Sequence, residues 1–234
     1  MNLKDKIVLV TGGSQGIGLD TAIKLKSKGA IVLINARDKS RLDAAGQEQG
    51  LVTLQGDVSK ETDVKQIYAF VMEKYGRLDV LINNAGYGYF DLLEDIDVEK
   101  FNQVFATNVT GAMMMAREAA KIFKKQSCGN IVNISSTSGL KGGAGSTAYS
   151  GTKFALKAMT ECWRAELRKY NVRIILINPS EVQTHFTANS GREPYSFNPT
   201  KLQGGDIAHA ICSALEMEDR GFITELTVFA TNPK

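Results

Sequence analysis

The sequence predicts an α/β fold, a single open parallel sheet with helices packed on both faces. Two observations carry that reading. Short runs rich in Val and Ile alternate along the chain with longer segments of helical period, the order that parallel β-α-β units require. Several of the short runs are almost wholly apolar, which marks strands covered on both sides rather than half-wet antiparallel ones. A length of 234 residues suits one domain over 1–234 and is ample for a large core.

Strands are predicted at residues 7–11, 30–36, 52–55, 80–83, 130–135, 173–178 and 223–229. Helices are predicted at 16–28, 61–75, 98–125, 152–170 and 206–217. The first helix carries Ile17, Ala22, Ile23 and Leu25 among polar residues, and the second carries Val64, Ile67, Tyr68 and Val71 at helical spacing. Pro, Gly and Ser thicken at 136–146 and at 187–205. The second stretch interrupts the rhythm after the sixth strand, and a long loop in a compact domain is disordered or functional.

Composition excludes several classes. Apolar residues make up 43% and charged residues 23%, with a net charge of +3 and no basic run, so no nucleic-acid or membrane-surface footprint is expected. No apolar stretch reaches transmembrane length and no secretory leader is recognisable. Cys128, Cys162 and Cys212 are scattered and odd in number, as expected of reduced thiols in a cytoplasmic protein. His185 and His209 are the only histidines and no Cys/His cluster exists, so no metal site is expected.

The chemistry lies in motifs at predicted strand ends. Thr11-Gly12-Gly13-Ser14-Gln15-Gly16-Ile17-Gly18 follows the first strand and opens the first helix. Glycines there allow a tight turn and close approach of a pyrophosphate to free N–H groups at a helix start. The spacing is G-x-x-x-G-x-G rather than the commoner G-x-G-x-x-G, and alone it is also consistent with a plain turn. The second strand ends Asn35-Ala36-Arg37-Asp38. An acid at this place holds the ribose 2′-hydroxyl of NAD, whereas an Arg accommodates a 2′-phosphate. Ala36 takes the acid's place and Arg37 follows, so NADP(H) is expected over NAD(H). A shifted register would make Asp38 the acid, and Arg41 either adds positive charge or faces solvent. Gly56-Asp57-Val58 and Asn83-Asn84-Ala85-Gly86 also stand at strand ends. Asp57 is a candidate acceptor for the adenine amino group, and Asn84, Ala85 and Gly86 for the turn against the adenosine ribose. Each alone is also an ordinary polar turn.

The most informative set is Ser135-Ser136 after the fifth strand and Tyr149-Ser150-Gly151-Thr152-Lys153. Tyr149 and Lys153 are four apart and share a face on a helix. An ammonium beside a phenol favours phenolate and is expected to lower the Tyr149 pKa. Tyr149 then serves as general acid or base for a carbonyl oxygen that Ser136 orients.

Taken together, these motifs resemble the short-chain dehydrogenase/reductase family, in its compact single-domain NADP-preferring form. The resemblance extends over almost the whole chain, through the glycine-rich turn, Asn83-Asn84-Ala85-Gly86, Asn108, Ser136 and Tyr149-x-x-x-Lys153. It implies a Rossmann-type, doubly wound, seven-stranded parallel sheet ordered 3-2-1-4-5-6-7. It implies that Tyr149 is the catalytic acid/base, that Lys153 also binds the nicotinamide ribose, and that Asn108 holds a water in a proton relay reaching Lys153. After strand six the family pattern Pro-Gly-x-x-x-Thr reads Pro179-Ser180-Glu181-Val182-Gln183-Thr184 here. Pro179, Val182 and Thr184 match and are expected at the nicotinamide, while Ser180 replaces the glycine. NADP-preferring relatives often carry Arg near Ser14-Gln15, where this chain has Gln15. The cofactor-contacting set is therefore expected to be Gly12, Ser14, Gln15, Gly16, Ile17, Gly18, Arg37, Asp57, Val58, Asn84, Ala85, Gly86, Tyr149, Lys153, Pro179, Val182 and Thr184.

The resemblance also implies a substrate loop over about 184–204, with Phe186, Tyr195 and Phe197 as aromatic candidates and Arg192 as an anion contact. It implies a homodimer or homotetramer paired through the two long central helices, where Met113, Met114, Met115 and Trp163 are either contact or core. The expected reaction is NADPH-dependent reduction of a ketone or aldehyde, a 3-oxoacyl group among the options, to an alcohol. A dinucleotide-binding redox sensor without turnover is the alternative.

Overall fold

The computed structural model describes residues 1–190 and 196–232. In chain order its strands are β1 (Ile7–Thr11), β2 (Ile31–Ala36), β3 (Val52–Gln55), β4 (Val80–Asn83), β5 (Gly129–Ile134), β6 (Val172–Pro179), β7 (Val182–Gln183), β8 (Leu202–Gln203) and β9 (Glu225–Val228). The two-residue strands β7 and β8 pair with each other, and the remaining seven form one sheet ordered β3-β2-β1-β4-β5-β6-β9. All its pairings are parallel. This is the expected 3-2-1-4-5-6-7 order, with β9 as the seventh strand. The helices are α1 (Gly16–Ser27), α2 (Lys39–Gln49), α3 (Glu61–Tyr75), α4 (Val98–Phe105), α5 (Ala112–Gln126), α6 (Thr147–Leu167), α7 (Phe186–Asn189) and α8 (Gly204–Glu216).

Two cores follow from the strand alternation. Val8, Val10, Ile34, Ile82, Ile175 and Ile177 point to one face, against Ala22 and Leu25 of α1 and Ile207, Ile211 and Leu215 of α8. Their neighbours Leu9, Leu33, Leu81, Ile131 and Ile174 point to the other, against Val64, Ile67 and Val71 of α3 and Met115, Ala119 and Phe123 of α5. β5 and β6 are buried along their whole length, which is why they read as mostly apolar runs. Each fully buried aliphatic side chain contributes about 1.5–3 kcal/mol. Parallel register (Thr11 with Asn35, Val10 with Ile82, Asn83 with Asn133) brings the strand C-termini to one edge.

Several boundaries differ from the sequence expectation. The helix expected over 98–125 is α4 and α5 joined by a π-helical turn at Ala106–Gly111. The wider turn places buried Asn108 where it reaches the loop after β4 (below). The helix expected over 152–170 starts earlier, at Thr147, so Tyr149 lies in its first turn. The last strand is shorter than 223–229. Helix α2 had no counterpart: only Leu42, Ala45 and Gly46 are buried in it, so it shows no apolar stripe. Its ends are nonetheless marked. Asp38 accepts the Arg41 N–H at 3.0 Å as N-cap, and Gly50 closes it at φ 58°. Met114 and Met115 are core, and Met113 and Trp163 are partly buried and pack against that core.

Candidate active site

The strand C-termini open into a cleft of about 1460 Å³, larger than the 300–1,000 Å³ usual for one small ligand. Its floor is built by β1 and β4. Thr11 Oγ1 donates to the Ile82 carbonyl at 3.2 Å and accepts the N–H groups of Asn84 and Ala85, each at 3.0 Å. The Asn84 amide donates to the carbonyls of Thr11 and Gly12 at 2.9 and 3.1 Å. Asn84 is thus a clamp between two strand ends. Gly12 sits at φ 63°, and a Cβ there would stand 2.9 Å from the Ala85 backbone, so the turn admits only glycine.

Gln15 is the N-cap of α1 but makes no side-chain cap bond, and the first turn holds no acid. Its opening N–H groups face the cleft without a side-chain acceptor. That donor set, in a turn where a Cβ would not fit, suits a pyrophosphate. The residues present therefore fit a dinucleotide laid from Arg37 across the turn to Tyr149.

At one end, Arg37 reaches over the cleft with its side chain 60% exposed, 4.0 Å from the Asp57 carboxylate. Its guanidinium carbon lies 5.9 Å from the Tyr87 ring centroid. Arg41 donates to Gln15 Oε1 at 2.8 Å. Asp38 spends one carboxylate oxygen on capping α2 and holds the other 3.7 Å from Arg41. The register is therefore Ala36 at the strand end, and the rival acid serves as a helix cap.

At the other end, Tyr149 and Lys153 come from the first two turns of α6. Lys153 Nζ donates to the Ile134 carbonyl at 2.9 Å and lies 5.6 Å from the Tyr149 ring centroid. Ser136 follows β5 and accepts the Ser138 N–H at 3.1 Å. Phe90, from the loop after β4, and Phe186, from α7, each pack with ring centroids 5.3 Å from that of Tyr149. Burial under these rings pushes the Tyr149 phenol up to about 12, while its hydrogen bond with Ser136 pulls the other way. Burial likewise pushes Lys153 down to about 8. The expectation that Lys153 lowers the Tyr149 pKa is not met here. Burial outweighs the Ser136 hydrogen bond, and the Lys153 ammonium is tied to a backbone carbonyl.

Of the expected residues, Gly12, Ser14, Gln15, Gly16, Ile17, Arg37, Val58, Asn84, Ala85, Gly86, Ser136, Tyr149, Lys153, Pro179, Val182 and Thr184 all line the cleft. Three do not. Gly18 is packed behind the turn, where a Cβ would meet the Gly12 carbonyl at 2.3 Å. Asp57 turns one oxygen to the Ser59 N–H and hydroxyl, at 3.0 and 2.8 Å. Asn108 spends its carboxamide on the Tyr87 N–H and carbonyl, at 3.1 and 2.9 Å, and on Thr152 Oγ1 at 3.2 Å. Thr152 in turn donates to the Tyr149 carbonyl at 2.7 Å. The Asn108 side chain thus joins the β4 loop to the helix that carries Tyr149.

Sequence reasoning missed Phe90, Tyr87 and Thr107 in the wall; the aromatic run Tyr87-Gly88-Tyr89-Phe90 was the available signal. Thr184 accepts the Phe186 N–H at 3.2 Å, at the start of α7. Ser190 Oγ accepts the Gly88 N–H at 3.2 Å and donates to the Phe186 carbonyl at 2.7 Å, tying α7 to the opposite wall. Phe197 is exposed, and Arg192 and Tyr195 lie outside the described residues.

A doubly wound sheet with a glycine-turn cleft and a Tyr/Lys/Ser set at its far end defines a dinucleotide-linked oxidoreductase. Known proteins agree. The family model for short chain dehydrogenase matches residues 6–194, and the chain belongs to that family. An uncharacterized oxidoreductase of Staphylococcus aureus (strain MRSA252) is 33% identical over 97% of both chains. Among solved structures, levodione reductase superposes with a TM-score of 0.89 at 25% identity over 97% of each chain. An alcohol dehydrogenase from the archaeon Thermococcus sibiricus, complexed with 5-hydroxy-NADP, does so with 0.86 at 26% identity, over 99% of this chain and 100% of that one. The protein is therefore an NAD(P)-dependent oxidoreductase. Among the described residues no helix is long and apolar enough to cross a membrane.

Proposed function

We propose that this protein reduces a ketone or aldehyde to the alcohol with NADPH, using Tyr149 as proton donor. The observation that carries the reading is the buried Tyr149 phenol, bonded to Ser136 and standing between the cleft and an apolar wall. A phenol held near 12 keeps its proton at neutral pH, which is the state an acid for carbonyl reduction needs. The bound nicotinamide would supply the hydride.

The chain's own groups do the rest. Ser136 and Tyr149 hold the carbonyl oxygen, and Tyr149 Oη releases its proton to that oxygen as the carbon becomes an alcohol. Lys153, anchored on Ile134, stands where it can hold the ribose hydroxyls and return a proton to Tyr149. Phe90 and Phe186 exclude water from the reacting oxygen. Asn108 acts as a positioning residue through Thr152.

The NADPH preference is supported by Arg37 over the cleft and by Asp38 being engaged as a cap. An Arg at this place accommodates a 2′-phosphate. The alcohol dehydrogenase solved with an NADP derivative supports the choice of cofactor, and levodione reductase supports the reaction class. Association into a dimer or tetramer through α5 and α6 remains part of the proposal. It would rest on the exposed Phe154 rather than on Met114 or Met115, and light scattering tests it.

The test of the function is Tyr149→Phe. It should abolish ketone reduction while NADPH still binds, because the ring and its packing remain. Near-normal turnover in Tyr149→Phe removes the role assigned to the phenol.

A further inference from the structure

We propose that Gln15 positions Arg41 as a second cationic arm, so that the adenine end of the cleft grips a ribose phosphomonoester between two guanidinium groups. The inference rests on the NADP(H) reading and deepens it.

Gln15 occupies a helix N-cap, a place where Ser, Thr, Asp or Asn is the usual choice because the side chain bonds the helix's own N–H groups. Gln15 makes no such bond. Its Oε1 instead accepts from Arg41 Nη1 at 2.8 Å, across 26 residues of sequence. Arg41 belongs to the first turn of α2, and its backbone N–H is fixed on Asp38 at 3.0 Å. The helix cap sets the root of the side chain and Gln15 sets its tip. Gln15, Arg37 and Arg41 all line the cleft, beside Ser14 and Ala36.

A bond between two exposed side chains adds little to stability, so its consequence is orientation. The chemistry of position 15 matters for that. A carboxylate there would neutralise Arg41, and a second cation would repel it. A neutral amide holds one of the five guanidinium donors at Nη1 and adds no charge, so with Asp38 3.7 Å from Nη2 Arg41 still keeps donors for an incoming anion. Arg37 is held separately, by the Tyr87 ring at 5.9 Å and Asp57 at 4.0 Å. The two arms are thus steadied by different neighbours and converge on the same rim. This explains how a glycine-rich turn that lacks a cation of its own can still favour the phosphorylated dinucleotide. The positive charge comes from α2, and Gln15 brings it to the turn.

The test is competition for bound NADPH by two adenine fragments that differ in the phosphate, 2′,5′-ADP and 5′-AMP. They are measured on the wild type, Gln15→Leu, Arg41→Ala and the double variant. The wild type should bind 2′,5′-ADP at least about tenfold tighter than 5′-AMP, the range of a charge-assisted hydrogen bond. Gln15→Leu should lose most of the part of that preference that Arg41→Ala loses, the preference being read as the ratio of the two affinities so that a change common to both fragments cancels. In the Arg41→Ala background Gln15→Leu should do nothing more, the non-additivity that a shared contact produces. A wild type that binds the two fragments alike overturns the NADP(H) reading and this inference with it. A wild type that prefers 2′,5′-ADP and keeps its full preference in Gln15→Leu, or loses it additively in the double variant, overturns the inference alone.

Discussion

The two ends of the cleft work by opposite physics. At the adenine end Arg37 and Arg41 are half or more exposed, stay solvated and act through charge and geometry. At the Tyr149 end the groups that do chemistry are buried under Phe90 and Phe186, and burial has moved both of them, Tyr149 up to about 12 and Lys153 down to about 8. Exposed charge selects a ligand cheaply because its desolvation cost is small. Buried groups hold a proton against bulk pH because the charged form is disfavoured. In the proposed function one end therefore chooses the cofactor and the other performs the reaction, joined by a glycine turn that contributes backbone N–H groups.

That contrast can be broken by mutation, beginning where the effect is largest. Tyr149→Phe should lower carbonyl reduction by about 10²–10⁴, the usual contribution of a positioned acid, with NADPH affinity changed by less than about twofold. Phe186→Ala, read by steady-state kinetics, should raise KM for a neutral ketone by about tenfold through lost contact area, leaving 2′,5′-ADP binding untouched. Arg37→Ala should have the mirror effect. By fluorescence titration it should weaken NADPH by about tenfold or more, the value of a charge-assisted bond, and leave NADH unchanged.

The pH profile sharpens the comparison. Reduction uses protonated Tyr149, so its rate should hold through neutral pH. Alcohol oxidation at the same site needs the phenolate and should keep rising beyond pH 9. The smallest effect is on stability. Charged Lys153 is disfavoured in the fold, a cost present in full below pH 8 that fades as pH rises from about 8 to 10.5, where the unfolded chain also loses its proton. Lys153→Met should therefore be inactive yet more stable at pH 7, by up to about 3 kcal/mol less the value of its bond to Ile134. Denaturant melts should show the gap nearly closing by pH 10.5.

The legible parts of the sequence were those written in local pattern. The parallel strands announced themselves as apolar runs because both faces are covered, and the glycine turn and the Tyr149/Lys153 pair announced themselves by spacing. Helix α2 did not, because it buries little and so carries no stripe. Its signals were the caps, Asp38 and Gly50. Capping also gives Asp38 a place in the fold, since one of its oxygens accepts the Arg41 N–H. The break at Ala106–Gly111 is likewise tertiary. Asn108 bonds residues 21 and 44 positions away, and no local pattern announces such partners. The aromatic run around Phe90 was a local signal, but its place in the site was not legible, because its partner rings come from α6 and α7.

The most direct measurement is steady-state reduction of a neutral ketone with NADPH and with NADH, followed by loss of nicotinamide absorbance. The account predicts turnover with NADPH and a kcat/KM for NADPH at least about tenfold above that for NADH, the preference assigned to the phosphate contact. Tight NADPH binding with no turnover across ketones and aldehydes would contradict it and leave a dinucleotide sensor. Preference for NADH would contradict the role given to Arg37.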